Sequence, residues 1–345
     1  MKFVYNLLNV KKYCYSLCTF VCFFLFSCTS CFPLLDWRGQ SIIDFSPPLL
    51  VSTEVIDEKT VLLTFNEAVE PISSDESYAL SSQDNQLTLS MNSPMAAGVE
   101  IRKNIALQDR HKNRLDLILS FYGYNPRVPS IVMNEIRLAG SGNKLDVVEF
   151  FVTQSGNLAG VTFYKGIPTS YDFFYVFPNV EVKKGDYIVL HIQPEGIASE
   201  VDELGAITQS GGKEASATAR DFWLKKRDGL SSTNGLICLT RSPGSELLDL
   251  FIYSNRTSAS DTNYKGFGSA TNLLRANWAF EQEAWYFAGD EPTPQECFDP
   301  TGTTATRTIC RTPLSYDSNK KEDWYIVDSG ECSIGSANST KRYIQ

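Results

Sequence analysis

Few residues of this 345-residue chain have the chemistry of an active site. The chain has two histidines: His111 lies in the polar run DRHKN beside a predicted turn, and His191 ends a predicted strand. A hydrolase of the Ser–His–Asp type needs a histidine base beside an activated serine. The sequence has no Gly-x-Ser-x-Gly elbow, HExxH pair, P-loop or dinucleotide-binding glycine run. We therefore predict a noncatalytic protein without a cofactor, in which His111 is a solvated loop residue and His191 is structural.

Carboxylate and amide side chains occur in three groups that could bind a metal ion. A buried Asn or Glu usually binds backbone amides, and a turn residue usually binds its own backbone. The third group lies in an acidic, glycine-rich loop, which we expect to be mobile, with calcium binding as the lesser alternative. The sequence thus predicts no metal site. The groups are Asn134 with Glu135 and Glu149, Asp109 with Asn113, and Glu200 with Asp202 and Glu203.

Arg220, Asp221 and Trp223 form the cluster that most resembles a functional site. An Arg–Asp pair beside a tryptophan can brace a fold or present the rim of a binding site. We favour the brace and keep the three residues as weak candidates for binding.

The elements that would position these residues centre on the stretch Ile131 to Val152. It reads as two strands joined by a turn over Gly140 to Asn143, whose residues tolerate positive φ. The second strand is apolar on both faces, so we expect it to be central in a sheet. Alternation at period two predicts two inward-facing sets. These are Val132, Ile136 and Leu138, with Asn134 among them, and Val148, Phe150 and Val152.

The amino-terminal residues predict export. Lys2, Lys11 and Lys12 precede an uncharged apolar run from Tyr13 to Phe26, the pattern of a secretory signal. The sequence Leu25-Phe26-Ser27-Cys28 then resembles a bacterial lipobox, which implies cleavage before Cys28, acylation of that cysteine and a membrane anchor. An uncleaved membrane anchor remains the alternative, since the apolar stretch continues through Cys31 to Leu35. Several acyl chains would give stable anchoring.

Charge and cysteine content fit an exported chain. The net charge is −9, and without the first 27 residues it is −12, since three lysines leave with them. No cluster of basic residues is present, so binding to a phosphate backbone is disfavoured. Cys238, Cys297, Cys310 and Cys332 lie in the later part and have no CxxC spacing for zinc. We expect a disulfide among the last three, with free buried thiols as the alternative.

Segments of the chain resemble two known families. Leu63 to Val69 and Leu107 to Arg114 resemble the bacterial Ig-like domain of S-layer and cell-surface proteins. Later motifs resemble a lamin-tail domain, and their order is that of bacterial lipoproteins with such a domain. The resemblance implies an all-β fold of two Ig-like β-sandwich domains in tandem. The motifs are Ile131–Ile136, Asp146–Phe151, Asn157–Phe163, Gly185–His191, Arg220–Trp223, Ile309–Arg311, Asp317–Asn319, Asp323–Val327, Ser333–Gly335 and Asn338.

These observations predict a chain organised in four parts. They are a signal peptide with a lipobox (1–27), a linker (28–43), a bacterial Ig-like domain (44–126) and a lamin-tail-like domain (127–340) with a long insertion. Within the insertion, residues 272–287 are the best helix candidate, which Pro292 and Pro294 would end. The expected function is a noncatalytic, lipid-anchored scaffold or interaction module of the bacterial cell envelope, with an unknown protein or glycan partner and no small-molecule substrate. The alternatives are an anchored nuclease- or phosphatase-like hydrolase and a DNA-binding tail domain.

Overall fold

The computed structural model describes residues 44–72, 75–226, 228–312 and 317–344. The predicted signal peptide, Cys28 and the linker lie outside these residues. Strands make up 39% of the described residues and helices 7%, which confirms the all-β class. No helix among the described residues is both long enough and apolar enough to cross a membrane.

The described residues form nineteen β-strands, one α-helix and three short 3-10 turns. The strands are β1 (Leu50–Val55), β2 (Thr60–Phe65), β3 (Glu70–Pro71), β4 (Tyr78–Gln83), β5 (Gln86–Met91), β6 (Glu100–Gln108), β7 (Arg114–Tyr122), β8 (Ser130–Arg137), β9 (Val147–Gln154), β10 (Gly156–Asn157), β11 (Thr162–Ile167), β12 (Ser170–Val176), β13 (Glu181–Val182), β14 (Tyr187–His191), β15 (Arg220–Trp223), β16 (Asn234–Thr240), β17 (Leu247–Ser254), β18 (Ile309–Arg311) and β19 (Trp324–Ile326). The α-helix α1 spans Ala270–Glu281, and short 3-10 turns span Ser258–Ser260, Pro294–Glu296 and Lys321–Asp323.

The first hydrophobic core lies between a sheet of order β1-β2-β5-β4 and a sheet of order β3-β6-β7. Its strands bury alternate residues, as the period of a half-buried strand requires. In β2 the inward residues are Val61, Leu63 and Phe65, and in β5 they are Leu87 and Leu89.

The second and larger core lies between a six-stranded sheet, β15-β14-β9-β8-β18-β19, and a four-stranded sheet, β12-β11-β16-β17. Phenylalanine rings fill its centre: Phe150 makes edge-on contacts with Phe163 and Phe177, whose centroids lie 6.0 and 5.7 Å away. Such edge-on pairs add stability beyond the area they bury. Strand β9 lies between β14 and β8, which confirms its predicted central position.

The predicted inward face of β8 is correct only for part of the strand. The pairing of β8 with β9 shifts between Met133 and Glu135, so Asn134 is the extra residue of a β-bulge. Before the bulge Ile131 and Met133 are buried in the core, whereas the predicted Val132 is half-buried on the other face. The bulge changes the phase of the alternation, so Ile136 and Leu138 face the core as predicted.

The predicted helix exists but is shorter than expected. Helix α1 begins after Ser269, whose hydroxyl accepts a hydrogen bond from Asn272 N, and it ends at Glu281. The prolines do not end it, because Glu283 already takes a φ of +52°. Its buried face contains Ala276 and Ala279, so small side chains bring it close to the sheet.

The expected disulfide among Cys297, Cys310 and Cys332 is wrong. All four later cysteines are free thiols, and Cys238, Cys297 and Cys310 are buried. Cys310 lies in β18, and the Cys297 thiol donates to the carbonyl of Thr293 after a short 3-10 turn.

A buried ion pair joins the two sheets of the second core. Arg311 in β18 binds both carboxylate oxygens of Asp249 in β17 at 3.0 and 2.7 Å, and both side chains are almost fully buried. The same pair satisfies the backbone of Met133, which donates to Asp249 and accepts from Arg311 Nε. The ring of Trp324 stacks under the guanidinium at 4.5 Å.

Removal of one partner of this pair should be costly. In Asp249→Ala the guanidinium of Arg311 stays buried and keeps only the partly exposed Asp317, 2.9 Å away, as a counter-charge, so we expect a loss of about 3–5 kcal/mol in the free energy of unfolding. Urea denaturation measures the loss. The matched control is Asp116→Ala, which removes the exposed partner of Arg114 and should leave the unfolding midpoint unchanged. Equal effects of the two substitutions would contradict the stabilising role of the buried pair.

Candidate functional site

His191 and the Arg220–Trp223 cluster meet at one end of the six-stranded sheet. Strands β14 and β15 run parallel, with Val189 opposite Asp221 and His191 opposite Trp223. Their side chains therefore lie on one face of the sheet. The His191 and Trp223 rings stack with centroids 3.8 Å apart and planes 9° apart, and His191 Nε2 lies 2.9 Å from Asp221 Oδ1. Sequence reasoning named these residues singly, and the parallel pairing brings them together.

The predicted Arg220–Asp221 pair does not form, because the two neighbours point to opposite faces of β15. Arg220 instead donates to the carbonyls of Glu203 and Gly205. Asp221 is buried and accepts from His191 and from the backbone amide of Ser216 at 2.6 Å. The hydrogen bonds of the cluster go to one long loop, and its role as a brace stays a prediction.

The acidic loop before β15 folds around its own carboxylates. Glu203 is fully buried and accepts backbone hydrogen bonds from Gln209, Ser210 and Asp221 at 2.8–3.0 Å. Glu200 accepts three more amides, those of residues 195–197. The oxygens of these two side chains that could bind calcium are therefore hydrogen bonded to the chain itself.

A polar cleft of about 390 Å³ opens beside His191. Sequence reasoning missed most of its walls, although a charged Arg137 within an apolar strand was a signal for a special role. The residues that line it include Arg137, Lys144, His191, Glu214, Ser216, Thr218 and Cys332.

Arg137 organises the cleft floor. Its guanidinium is 2% exposed, and it donates to Glu214 Oε2 at 2.6 Å, to the carbonyl of Leu145 at 3.0 Å and to Cys332 Sγ at 3.1 Å. Burial raises the pKa of the Cys332 thiol, Glu135 raises it further, and Arg137 offsets part of that shift. A thiol with a raised pKa is protonated at neutral pH and is a weak nucleophile.

Behind the cleft, Glu135 and Glu149 hold the carboxyl-terminal segment against the hairpin. Both are fully buried. Glu135 accepts from the backbone amide and hydroxyl of Ser333, at 3.1 and 2.6 Å, and from the hydroxyl of Thr308. Glu149 accepts from Gly335 N and from Asn134 Nδ2, the latter at 2.6 Å. These side chains bind backbone amides, as a buried Glu usually does.

Glycine is required at position 335 by a close approach. The residue has a φ of +86°, and a Cβ placed on it would lie 2.6 Å from Ser216 Oγ and 2.7 Å from Thr218 Oγ1. Its carbonyl accepts from the Thr218 hydroxyl at 2.7 Å. The segment after β19 is thereby attached to the loop that covers His191.

The turn at Asp109 also uses its own polar groups. Asp109 Oδ1 accepts from the amides of His111 and Asn113, and Oδ2 accepts from the Asn113 side chain at 2.8 Å. His111 is exposed, as predicted. Its Nδ1 lies 4.0 Å from carboxylate oxygens of Asp44 and Asp109, so these three residues could approach one cation. The turn bonds already account for both oxygens of Asp109.

Among the hydroxyls that line the cleft, that of Ser216 is the best candidate for a catalytic nucleophile. Its oxygen accepts from the amides of Thr218 and Ala219, at 3.1 and 2.9 Å, as the cap of a short turn. His191 Nε2 is bonded to Asp221 and its ring is covered by Trp223. The arrangement therefore fixes loops, and its open surface can offer hydrogen bonds to a partner.

Fold and site together define an all-β protein whose buried polar side chains brace long loops. A family model described as a protein second domain (TP_1001_2nd) matches residues 129–326, which is more than half of the chain. The chain belongs to this family. It is also similar to an uncharacterized protein of Treponema pallidum (strain Nichols), with 32% identity over 180 residues, which are 52% of this chain. The match spans 45% of that relative's length, so the chain corresponds to less than half of it.

Glu149 should make stability depend on pH. Burial raises its pKa from 4.5 to about 8. Between pH 6 and 8 the unfolded chain has released this proton while the folded chain keeps it, so the free energy of unfolding should fall as pH rises, by about 1.4 kcal/mol per pH unit. Denaturation curves at several pH values measure the slope.

The control for this prediction is Glu149→Gln, which cannot titrate. Its free energy of unfolding should change less steeply between pH 6 and 8 than that of the wild type. The window excludes Asp146, whose pKa is raised by burial to about 6, because most of its contribution lies below pH 6. Parallel profiles for the two proteins would show that Glu149 is ionised in the folded chain.

Proposed function

We propose that the chain is an exported, lipid-anchored protein of a bacterial cell envelope that acts as a noncatalytic interaction or scaffold module. The proposal rests on one observation. The buried carboxyl groups that could act as acids or bases accept hydrogen bonds from the chain's own backbone. Glu135, Glu149, Glu203 and Asp221 all accept backbone amides. An acid or base in catalysis needs a free position within reach of the substrate's proton.

The resemblance to a lamin-tail domain gains support from residues far apart in sequence. Asn134, in the motif Asn134-Glu135-Ile136, donates to Glu149 and to Asn338 Oδ1 at 2.6 and 2.9 Å. Asn338 returns bonds to the carbonyls of Asn134 and Arg311. One cluster thus includes residues from the first, second and last motifs of the resemblance. We propose on this ground a lamin-tail-like domain after an Ig-like domain.

The anchor is proposed from the lipobox-like sequence ending at Cys28. An anchored β-sandwich presents its loops and sheet faces to partners at the membrane, and the acidic surface favours protein or glycan partners over nucleic acid.

Intact mass spectrometry and detergent partitioning of the full chain test the anchor. The wild type should partition into detergent with the mass of a chain that begins at Cys28 and carries acyl groups. Cys28→Ala should lose the acyl mass, because the acylated sulfur is gone. The matched control is Cys31→Ala, three residues further along, which should keep it.

Two results would contradict the proposed function. One is an acyl mass that persists in Cys28→Ala. The other is a divalent-metal-dependent phosphatase or nuclease activity of the wild type that Glu149→Gln abolishes, which would favour the anchored hydrolase instead.

A further inference from the structure

The two hydrophobic cores meet along a seam with specific contacts. Asn125 is buried, and its Nδ2 donates to the carbonyls of Asn157 and Ala159 at 2.8 and 2.9 Å. Gly98, with a φ of +68°, lies so close to the second core that a Cβ on it would be 2.3 Å from Gly160 N. A seam made by backbone contact and a buried amide holds the surfaces on its two sides in a fixed relation.

A cleft of about 610 Å³ lies along this seam, within the size range of ligand-binding sites. Glu54, Ser120, Tyr122 and Tyr124 line it from the first core, and the turn of residues 241–246 lines it from the second. Aromatic rings, hydroxyls and two carboxylates, those of Glu54 and Glu246, therefore line one opening. Sequence reasoning missed this cleft because its walls come from segments more than 100 residues apart.

A group of three aromatic rings stands beside the cleft. The ring of Tyr164 lies 5.5 Å from that of Tyr171 and 5.8 Å from that of Phe174, centroid to centroid. Tyr171 and Phe174 are 46% and 40% exposed. The hydroxyl of Tyr164 accepts from the amide of Gly244 at 3.0 Å, so it connects the rings to the turn that lines the cleft. Single exposed apolar side chains are common, but exposed aromatic rings in one contiguous group often mark a binding surface.

The charges of the cleft favour a neutral ligand. Its one arginine, Arg241, is paired with Glu246 at 3.2 Å, and Glu54 adds a further negative charge. A phosphorylated or sulfated ligand would meet net repulsion. A neutral sugar fits better, because its C–H face can cover an aromatic ring while its hydroxyls exchange hydrogen bonds with serine, carboxylate and backbone groups.

We propose that the seam cleft and its aromatic group, Tyr164, Tyr171 and Phe174, form a binding site for a neutral oligosaccharide. This inference rests on the proposed noncatalytic function and names its partner class. The exposed rings of Tyr171 and Phe174 would stack against sugar units, and Tyr164, which is buried, would hold them beside the turn of residues 241–246. Glu54, Ser120 and that turn would bind the sugar hydroxyls.

Titration calorimetry of the full chain in a non-glycosidic detergent tests the site. The probes are three neutral tetrasaccharides, cellotetraose, maltotetraose and N-acetylchitotetraose, and a heparin-derived tetrasaccharide serves as the charged comparison. We expect at least one neutral probe to bind with a Kd at or below about 1 mM, and the charged one not to bind. Tyr171→Ala and Phe174→Ala should each weaken binding about tenfold, as expected for loss of an aromatic anchor.

The matched control is Tyr286→Ala, which removes a ring of similar exposure (52%) elsewhere on the surface and should leave the Kd unchanged. Since Tyr171 and Phe174 are exposed, their substitution should not unfold the chain, and an unchanged thermal midpoint checks this. Failure of all three neutral probes to bind, or binding that both variants retain, would overturn the glycan site. If the glycan site fails but the same preparation carries the acyl mass, the proposed lipid-anchored module is not contradicted.

Discussion

The larger core depends on hydrogen bonds to two buried carboxyl groups on one hairpin. Glu135 in β8 and Glu149 in β9 are fully buried among apolar side chains. A buried carboxyl group is tolerated only when its oxygens receive hydrogen bonds. The donors come from the chain's last described segment, through Ser333 and Gly335. The core is therefore complete only when residues nearly 200 positions apart have come together.

The same principle extends outward from the hairpin. Met133, beside the bulge at Asn134, bonds to the Asp249–Arg311 pair, which joins the two sheets. At the other end of the sheet, Asp221 and Glu203 hold the long loop that runs over β15. Buried polar side chains thus hold the irregular backbone of the long segments between the strands. Side chains used in this way are not free for acid–base chemistry, whereas the seam between the cores leaves aromatic and polar groups open to solvent.

Much of the fold follows from local pattern. Alternation in the stretch Ile131 to Val152 located β8 and β9, and the apolar character of both faces placed β9 in the middle of its sheet. The errors have physical causes. A single extra residue at Asn134 shifts the alternation, so the predicted inward face is wrong for the part of β8 before it. No residue propensity signals a bulge there. Helix α1 ended early because Glu283 takes a left-handed φ, which the distant prolines did not indicate.

The candidate site was predictable only in its parts. His191 was predicted to be structural, and Asp221 and Trp223 to belong to a bracing cluster, but their contact depends on the parallel pairing of β14 with β15. Arg137, Glu214 and Cys332 converge on the same cleft from three separate segments, which no spacing rule connects. The seam cleft needs the relative placement of two cores, so it could not be read from one sequence.

Hydrogen–deuterium exchange of the segment 328–340 tests most directly whether the buried carboxylates hold this fold together. The account predicts that the amides of Ser333 and Gly335 exchange slowly in the wild type. In Glu135→Ala they should exchange at least about tenfold faster, while the amides of β16 keep their protection, because exchange reports local opening. Rapid exchange of these two amides in the wild type, or protection unchanged by the substitution, would contradict the central role given to Glu135 and Glu149.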